Sequence, residues 1–460
     1  MVYTQSNSMT MAKNILLTLL FFGLKISMSG QERDVLPTAE QVQWIDKEIG
    51  VIIHLDINIY APESFDYSKK ETLPALSVFH PSGLNTDQWI KAAKSAGATY
   101  AVLTVKHGTG FCLWKTRVHP YHVGNTPFRE GNADIVADFI KSCKKYGVKP
   151  GFYYNTNMNT YYQAGYLPMT DEKRLQYNDV VYRQLEELWS GYGKLFEIWF
   201  DGGVMTDRTT GIQDKVDRLL QKYQPNACLF QGPVGARNIL RWVENEDGKT
   251  PYPFWSRINA VLNHDGKEVI SNGHGDPQGR YWVSAEADFP NRKQDAWNGG
   301  WLWKDGQQDK VFSAGELLER YYTSVGNNTN MLIGMAIDTA GLFPAYDSKV
   351  FKDFGKKLKE RNSSKAGSMS GSGYSFEIKL KSPQKINQIE ILENIQSGER
   401  IRSYRVEGFI KGEWKKICEG ISVGHKRIQS FEPVETGAVR LIVTAASKKP
   451  LIKAFSAYNY

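Results

Sequence analysis

Asp201 closes a run of apolar and aromatic residues, Phe196-Glu197-Ile198-Trp199-Phe200, and is followed by Gly202-Gly203. A carboxylate at the end of such a run can act on a bound molecule as nucleophile or base. Its plainer role would be to cap the loop that follows. A second acidic stretch, Arg241-Trp242-Val243-Glu244-Asn245-Glu246-Asp247-Gly248, reads as a loop. Two carboxylates flanking a glycosidic bond are the minimal equipment for glycoside hydrolysis. His54 and His107 each end or follow an apolar run, and Trp114 comes soon after Lys106-His107-Gly108-Thr109-Gly110-Phe111. Two histidines at one rim beside a tryptophan suggest a polar pocket with an aromatic wall. No repeated Asp-x-Asp or clustered His-Glu spacing calls for a metal.

Those side chains need strands that end at one face. Apolar, β-branched and aromatic runs predict strands over 50–55, 100–105, 149–154, 195–200, 227–231, 281–285 and 331–335. Helical spacing and capping residues predict a helix from Thr86 and others over 133–146, 171–189, 213–223, 314–326 and 349–361. Strands alternating with helices imply a parallel sheet. The length of the alternation and the long loops after the strands favour an α/β fold of the (β/α)8-like barrel type over an open sheet. The stretch 232–280 shows no clear sixth unit.

Outside this region the pattern changes. Met11-Ala12-Lys13, an apolar run over 15–24 and the small residues Ser27, Ser29 and Gly30 read as a signal peptide over 1–30, too short to span a bilayer. The protein is therefore expected to be exported, periplasmic or extracellular, with no membrane span. The barrel then occupies 31–361. A Ser-, Gly- and Lys-rich stretch over 362–373 reads as a linker. From 374 to 460 the spacing is two, as in Phe376, Ile378 and Leu380 or Val439, Leu441 and Val443, which predicts a C-terminal β-sandwich. The formal charge of +8 is modest and spread along the 460 residues, which argues against a nucleic-acid partner. Cys112, Cys143, Cys228 and Cys418 lack paired spacing, so neither a disulfide framework nor a zinc site is expected.

In content and order these motifs resemble glycoside hydrolase family 29, the retaining α-L-fucosidases, from about Trp44 to Lys359. Leu84-Asn85-Thr86-Asp87-Gln88-Trp89 resembles the family's first-helix segment. Lys106-His107 with Gly110-Phe111-Cys112-Leu113-Trp114 resembles its pocket loop, and Trp199-Phe200-Asp201-Gly202 its nucleophile motif. Arg241-Trp242-Val243 with Asn245-Glu246-Asp247-Gly248 resembles the acid/base loop of the branch acting on α-1,3/1,4-linked fucose, and Ser324-Val325-Gly326 with Asn328, Asn330 and Leu332 the last strand region. The C-terminal module resembles a discoidin-type sandwich.

The resemblance implies Asp201 as nucleophile and Glu246 as acid/base, with Glu244 and then Glu286 as further candidates for the second role. His54, His107, Trp114, Tyr153, Arg241, Trp242 and Glu286 would bind the sugar, fucosylated glycans would be the substrates, and no metal or organic cofactor is implied. Three motifs depart from the family. Gly108 and Thr109 stand where it has His and Asp, Leu55 and Asp56 follow His54 where it has an aromatic residue and Gly, and Ser64 replaces a Trp after Glu63. These changes imply room in the sugar pocket, hence an altered preference such as an α-L-galactosidase-like activity. A carbohydrate-binding barrel without turnover is the alternative from another class.

Overall fold

The computed structural model describes residues 35–165, 168–204, 212–233, 236–262, 268–270 and 273–460. The segment 1–30, expected as a leader, lies outside them. Eight parallel strands close into a barrel: β1 (Ile49–His54), β2 (Tyr100–Lys106), β3 (Lys149–Tyr154), β4 (Glu197–Phe200), β5 (Cys228–Phe230), β6 (Ile239–Trp242), β7 (Ala285–Phe289) and β8 (Asn330–Ala336), with β8 returning to pair with β1. β1, β2, β4, β7 and β8 are buried along their whole length. Their residues are largely β-branched, aliphatic or aromatic, the composition of strands covered on both faces. Side chains pointing inward (Ile52, Tyr100, Val102, Tyr153, Trp199, Phe230, Leu240 and Leu332) fill the barrel centre, so it is a packed core.

Helices cover the outside. α1 (Ala39–Ile45) is capped by Thr38, and its Gln41 Nε2 donates to the backbone oxygens of Ile239 and Trp282. α2 (Thr86–Ser95) is capped by Asn85, and α3 (Ile135–Tyr146) by Asp134. α3 ends at Gly147, whose φ of 67° is the left-handed stop that glycine takes without strain. α4 (Asp171–Gly191), α5 (Ile212–Tyr223), α6 (Ala314–Thr323) and α7 (Ala345–Ser363) complete the layer. None of the described helices is long and apolar enough to cross a membrane.

The region left unassigned by sequence supplies the sixth strand, β6, and then a long excursion to β7 that holds no helix among its described residues. Two short antiparallel ribbons lie in it, Arg257–Ile258 with Tyr281–Trp282 and Ala260–Leu262 with Glu268–Ile270. The strand expected over 281–285 is therefore divided. Tyr281–Trp282 joins a ribbon, and the barrel strand is Ala285–Phe289. Glu286 and Asp288 hid it, because carboxylates are rare inside a buried parallel strand. Here tryptophan and tyrosine donors accommodate them.

The C-terminal module is a six-stranded antiparallel sheet with strands β9 (Lys365–Ser372), β10 (Ser375–Glu393), β11 (Ile401–Ile410), β12 (Glu413–Gly420), β13 (Arg427–Ala446) and β14 (Leu451–Tyr458), in the order β9-β14-β10-β13-β11-β12. The expected linker over 362–373 is a correction. Asn362 and Ser363 end α7, and Lys365–Ser372 is an edge strand paired with β14. Its small residues reflect an exposed edge rather than a free connection. The module is fastened to the barrel by buried polar contacts. Arg361 donates to Glu390 at 2.6 Å and to Gln388 at 2.7 Å, and the Glu399 carboxylate accepts from Ser256 N at 2.9 Å and Asn328 Nδ2 at 2.6 Å.

Candidate active site

A cavity of about 150 Å³ opens at the C-terminal ends of the barrel strands. That is below the roughly 300–1,000 Å³ of sites for drug-sized ligands, so it suits a small ligand such as one sugar ring. His54 ends β1, His107 follows β2, Tyr153 lies on β3, Trp199 on β4 and Asp201 just beyond it. Glu246 comes from the loop after β6, Asp288 from β7, and Asn298 and Trp301 from the loop after β7. All of these line the cavity.

Asp201 is held by one oxygen. Its Oδ2 accepts from Tyr153 Oη at 2.6 Å and from Asn155 Nδ2 at 2.9 Å. Among the described residues no donor reaches Oδ1, which leaves that oxygen for a reacting atom. Burial and the Asp201 charge push the Tyr153 phenol well above its ordinary range, so it stays a donor. Asn155 is itself fixed. Its Oδ1 accepts from the backbone N–H groups of Asn157 at 3.0 Å and Met158 at 2.7 Å, while the buried Lys106 ammonium donates to the carbonyls of Asn155 and Met158. Gly202 takes φ 68°, and a Cβ there would meet Asn157 Nδ2 at 2.8 Å. The glycine after Asp201 thus lets the loop that carries this carboxylate turn against the Asn157 side chain.

Glu246 stands on a turn closed by Asn245, whose Nδ2 donates to the carbonyls of Val243 and Lys249 at 3.3 and 2.9 Å. Trp301 Nε1 donates to Glu246 Oε2 at 3.0 Å. Asp288 is buried, and its Oδ1 accepts from Trp242 Nε1 at 2.6 Å. Burial, then the charges of Glu286 and Glu246, hold its carboxyl well above the usual range. Burial draws His107 down to about 4, although Asp201 pulls the other way. Burial, with His107 beside it, draws His54 well below its ordinary value. Both imidazoles are therefore neutral near pH 7, each able to donate from one nitrogen and accept at the other. His107 stacks on Tyr153 (5.7 Å between centroids), and His54 lies 5.0 Å from the Trp301 ring. Buried donors and acceptors, aromatic walls and two carboxylates at a barrel's C-terminal rim make a site for acid/base and nucleophilic work on a small polyhydroxylated ligand.

The model of the α-L-fucosidase family matches residues 36–363. The chain belongs to that family, glycoside hydrolase family 29. It is 28% identical to α-L-fucosidase 1 of Arabidopsis thaliana over 92% of this chain and 87% of the plant protein. A crystal structure of a candidate α-L-fucosidase from Bacteroides thetaiotaomicron matches with a TM-score of 0.85 at 36% identity, covering 93% of this chain and 100% of that one. A Ruminococcus gnavus family 29 fucosidase solved with fucose shares the fold with a TM-score of 0.78 at 22% identity, over 93% and 95% of the two chains. The protein is a glycoside hydrolase of the α-L-fucosidase family.

Within this family member, five residues expected in the site stand elsewhere. Trp114 is buried in the layer between barrel and helices, its Nε1 donating to Glu187 on α4, because the loop after β2 folds outward over that helix. Arg241 is consumed by structure. Its guanidinium donates to Trp255 O at 2.8 Å and lies over the Phe254 ring. Trp242 reaches the site only through Asp288. Glu286 sits one layer down inside the barrel, bonded by Tyr100 Oη at 2.5 Å and Trp199 Nε1 at 3.1 Å, so it cannot serve a substrate at the rim. Glu244 takes φ 63° and is exposed away from the cavity lining.

The departing positions also read differently in three dimensions. Gly108 is not in the cavity lining, and Thr109 is buried with its hydroxyl on Asp56 Oδ1 at 2.6 Å. Where the family pattern has Gly after the first strand and Asp after the second, this chain has Asp56 and Thr109. These two departures are thus buried against each other, and neither lines the cavity. Ser64 is exposed and outside the lining as well. Sequence reasoning missed Asp288, Asn298, Trp199 and Trp301 as site residues. Asp288 carried a usable signal, since it lies two residues beyond Glu286 and so points to the same side of the strand one step nearer the rim.

Proposed function

We propose that the protein is a retaining exo-α-L-fucosidase that removes terminal α-L-fucose from fucosylated glycans by double displacement. Asp201 attacks the anomeric carbon and forms a fucosyl-enzyme intermediate. Glu246 protonates the departing oxygen and then deprotonates the water that releases the sugar. One observation carries the reading: Asp201 and Glu246 line the same small cavity, each with one carboxylate oxygen tied to tryptophan, tyrosine or asparagine donors and, among the described residues, no donor on the other. The aromatic faces of Trp199 and Trp301 suit a sugar that bears a methyl group at C5, and the neutral His54 and His107 suit its hydroxyls.

The Asn245-Glu246-Asp247-Gly248 motif supports α-1,3/1,4-linked fucose as substrate, and the leader-like segment 1–30 supports export to the periplasm or beyond. A discoidin-like origin for the C-terminal module is consistent with its antiparallel sheet, and its buried contacts to the barrel favour a packing role. The test is proton NMR of hydrolysis of an aryl α-L-fucoside and of a panel of fucosylated oligosaccharides. Retention gives α-fucose as the first product. Initial release of the β-anomer would refute double displacement, and no release from any substrate would refute the activity.

A further inference from the structure

Double displacement needs two carboxyls, and among the described residues three line this cavity. The third, Asp288, lies near the end of β7 with 3% of its surface exposed. Its Oδ1 is committed to Trp242 Nε1 at 2.6 Å, its own backbone N–H also bonds the carboxyl, and no other described residue donates to it. The groups facing it are acidic, Glu286 on its own strand and Glu246 from the loop after β6, with no cation among them. A buried carboxyl so surrounded is cheapest to keep in its acid form, and the direction of its titration agrees. An acid carboxyl that lines a cavity, with one oxygen tied back, can donate from the other to what fills it.

We propose that Asp288 is a substrate-contacting residue, its Oδ2–H donating to a hydroxyl of the bound sugar while Oδ1 stays on Trp242. This rests on the fucosidase reading above and adds a specificity contact to it. A site built to bond a hydroxyl rejects the analogue lacking that hydroxyl, because a buried group is left unpaired. Asp288 therefore selects for one ring hydroxyl without taking part in bond making or breaking.

The test compares Asp288→Asn and Asp288→Ala with the unmodified enzyme, on an aryl α-L-fucoside and its 2-, 3- and 4-monodeoxy analogues. The asparagine amide can keep both bonds, its oxygen on Trp242 and its N–H toward the sugar, so kcat/KM on the parent should stay within about threefold. The alanine variant should lose roughly five- to tenfold, the size of one neutral hydrogen bond. It should also cease to distinguish the parent from one particular deoxy analogue that the unmodified enzyme discriminates against. An Asp288→Asn variant as impaired as Asp288→Ala would overturn the proposal, since the working group would then be a carboxylate. Unchanged deoxy ratios in Asp288→Ala would overturn it too, leaving Asp288 only to prop Trp242. If the alanine variant does not fold, Asp288→Asn decides alone by keeping or losing the unmodified discrimination. Turnover by the unmodified enzyme and its loss in Asp201→Asn check the parent reading separately. If that reading fails, calorimetric binding of fucose and its deoxy analogues to the Asp288 variants still decides this one.

Discussion

Trp301→Phe isolates how Glu246, the proposed acid/base group, is aimed. Trp301 contributes a ring beside His54 and an N–H that holds Glu246 Oε2 at 3.0 Å. Phenylalanine keeps most of the ring and removes the donor. Hydrogen bonds to charged groups contribute about 1.5–3 kcal/mol when buried, but Glu246 is exposed at the cavity mouth, so about 1–1.5 kcal/mol is the appropriate range. If that bond orients Oε1 toward the leaving oxygen, its loss should slow the protonation-dependent step roughly five- to twelvefold. The assay compares kcat/KM for a dinitrophenyl fucoside, whose leaving group departs without help, with that for a fucosylated oligosaccharide. The oligosaccharide should show the full loss and the activated substrate almost none. An equal loss on both would refute the reasoning, because Trp301 would then matter only as a wall of the sugar pocket.

Glu246→Ala should cripple oligosaccharide cleavage, and added azide should restore turnover of activated aryl fucosides as a fucosyl azide; the same substitution at Glu244 should leave both nearly unchanged. Arg292→Leu should cost about 3–5 kcal/mol in urea unfolding, because it strands the Asp347 carboxylate, which is 1% exposed and bonded by Arg292 at 2.7 Å. Replacing both partners with leucine should recover most of that loss. Asp56→Asn tests a buried acid. Burial raises Asp56 to about 7, against about 3.9 in the unfolded chain, so ionisation disfavours the native state as pH climbs between those values. The unmodified protein should therefore lose stability relative to Asp56→Asn from about pH 4 to pH 7, by up to roughly 4 kcal/mol, and parallel pH–stability curves would contradict the assignment.

The barrel was legible because its strands are long apolar runs ended by polar loops and its helices carry apolar residues at helical spacing, although the cap of α2 is Asn85 rather than the expected Thr86, which is the first helical residue. Asp201, His54 and His107 stood out at or just past strand ends, the family resemblance singled out Glu246 and Tyr153, and all five line one cavity. What sequence could not carry was direction and partnership. Trp114 sits in the right loop but points toward α4. Glu286 and Asp288 share a face of β7, and only their depth separates a core carboxyl from a cavity carboxyl. Asn298 and Trp301 lie far along the chain in a loop with no local pattern, brought to the rim by Arg292 and its buried bond to Asp347. Asp56 and Thr109 looked like two separate departures when read one residue at a time, and the 2.6 Å contact shows that they are partners.

The central claim is that Asp201 forms the covalent bond to the sugar. Incubation with 2-deoxy-2-fluoro-α-L-fucosyl fluoride should trap that intermediate, and peptide mass spectrometry should place one fluorofucosyl group on Asp201, with none on the Asp201→Ala protein. A label on Glu246 or Asp288, or an unlabelled enzyme that still turns over fucosides with retention, would contradict the account.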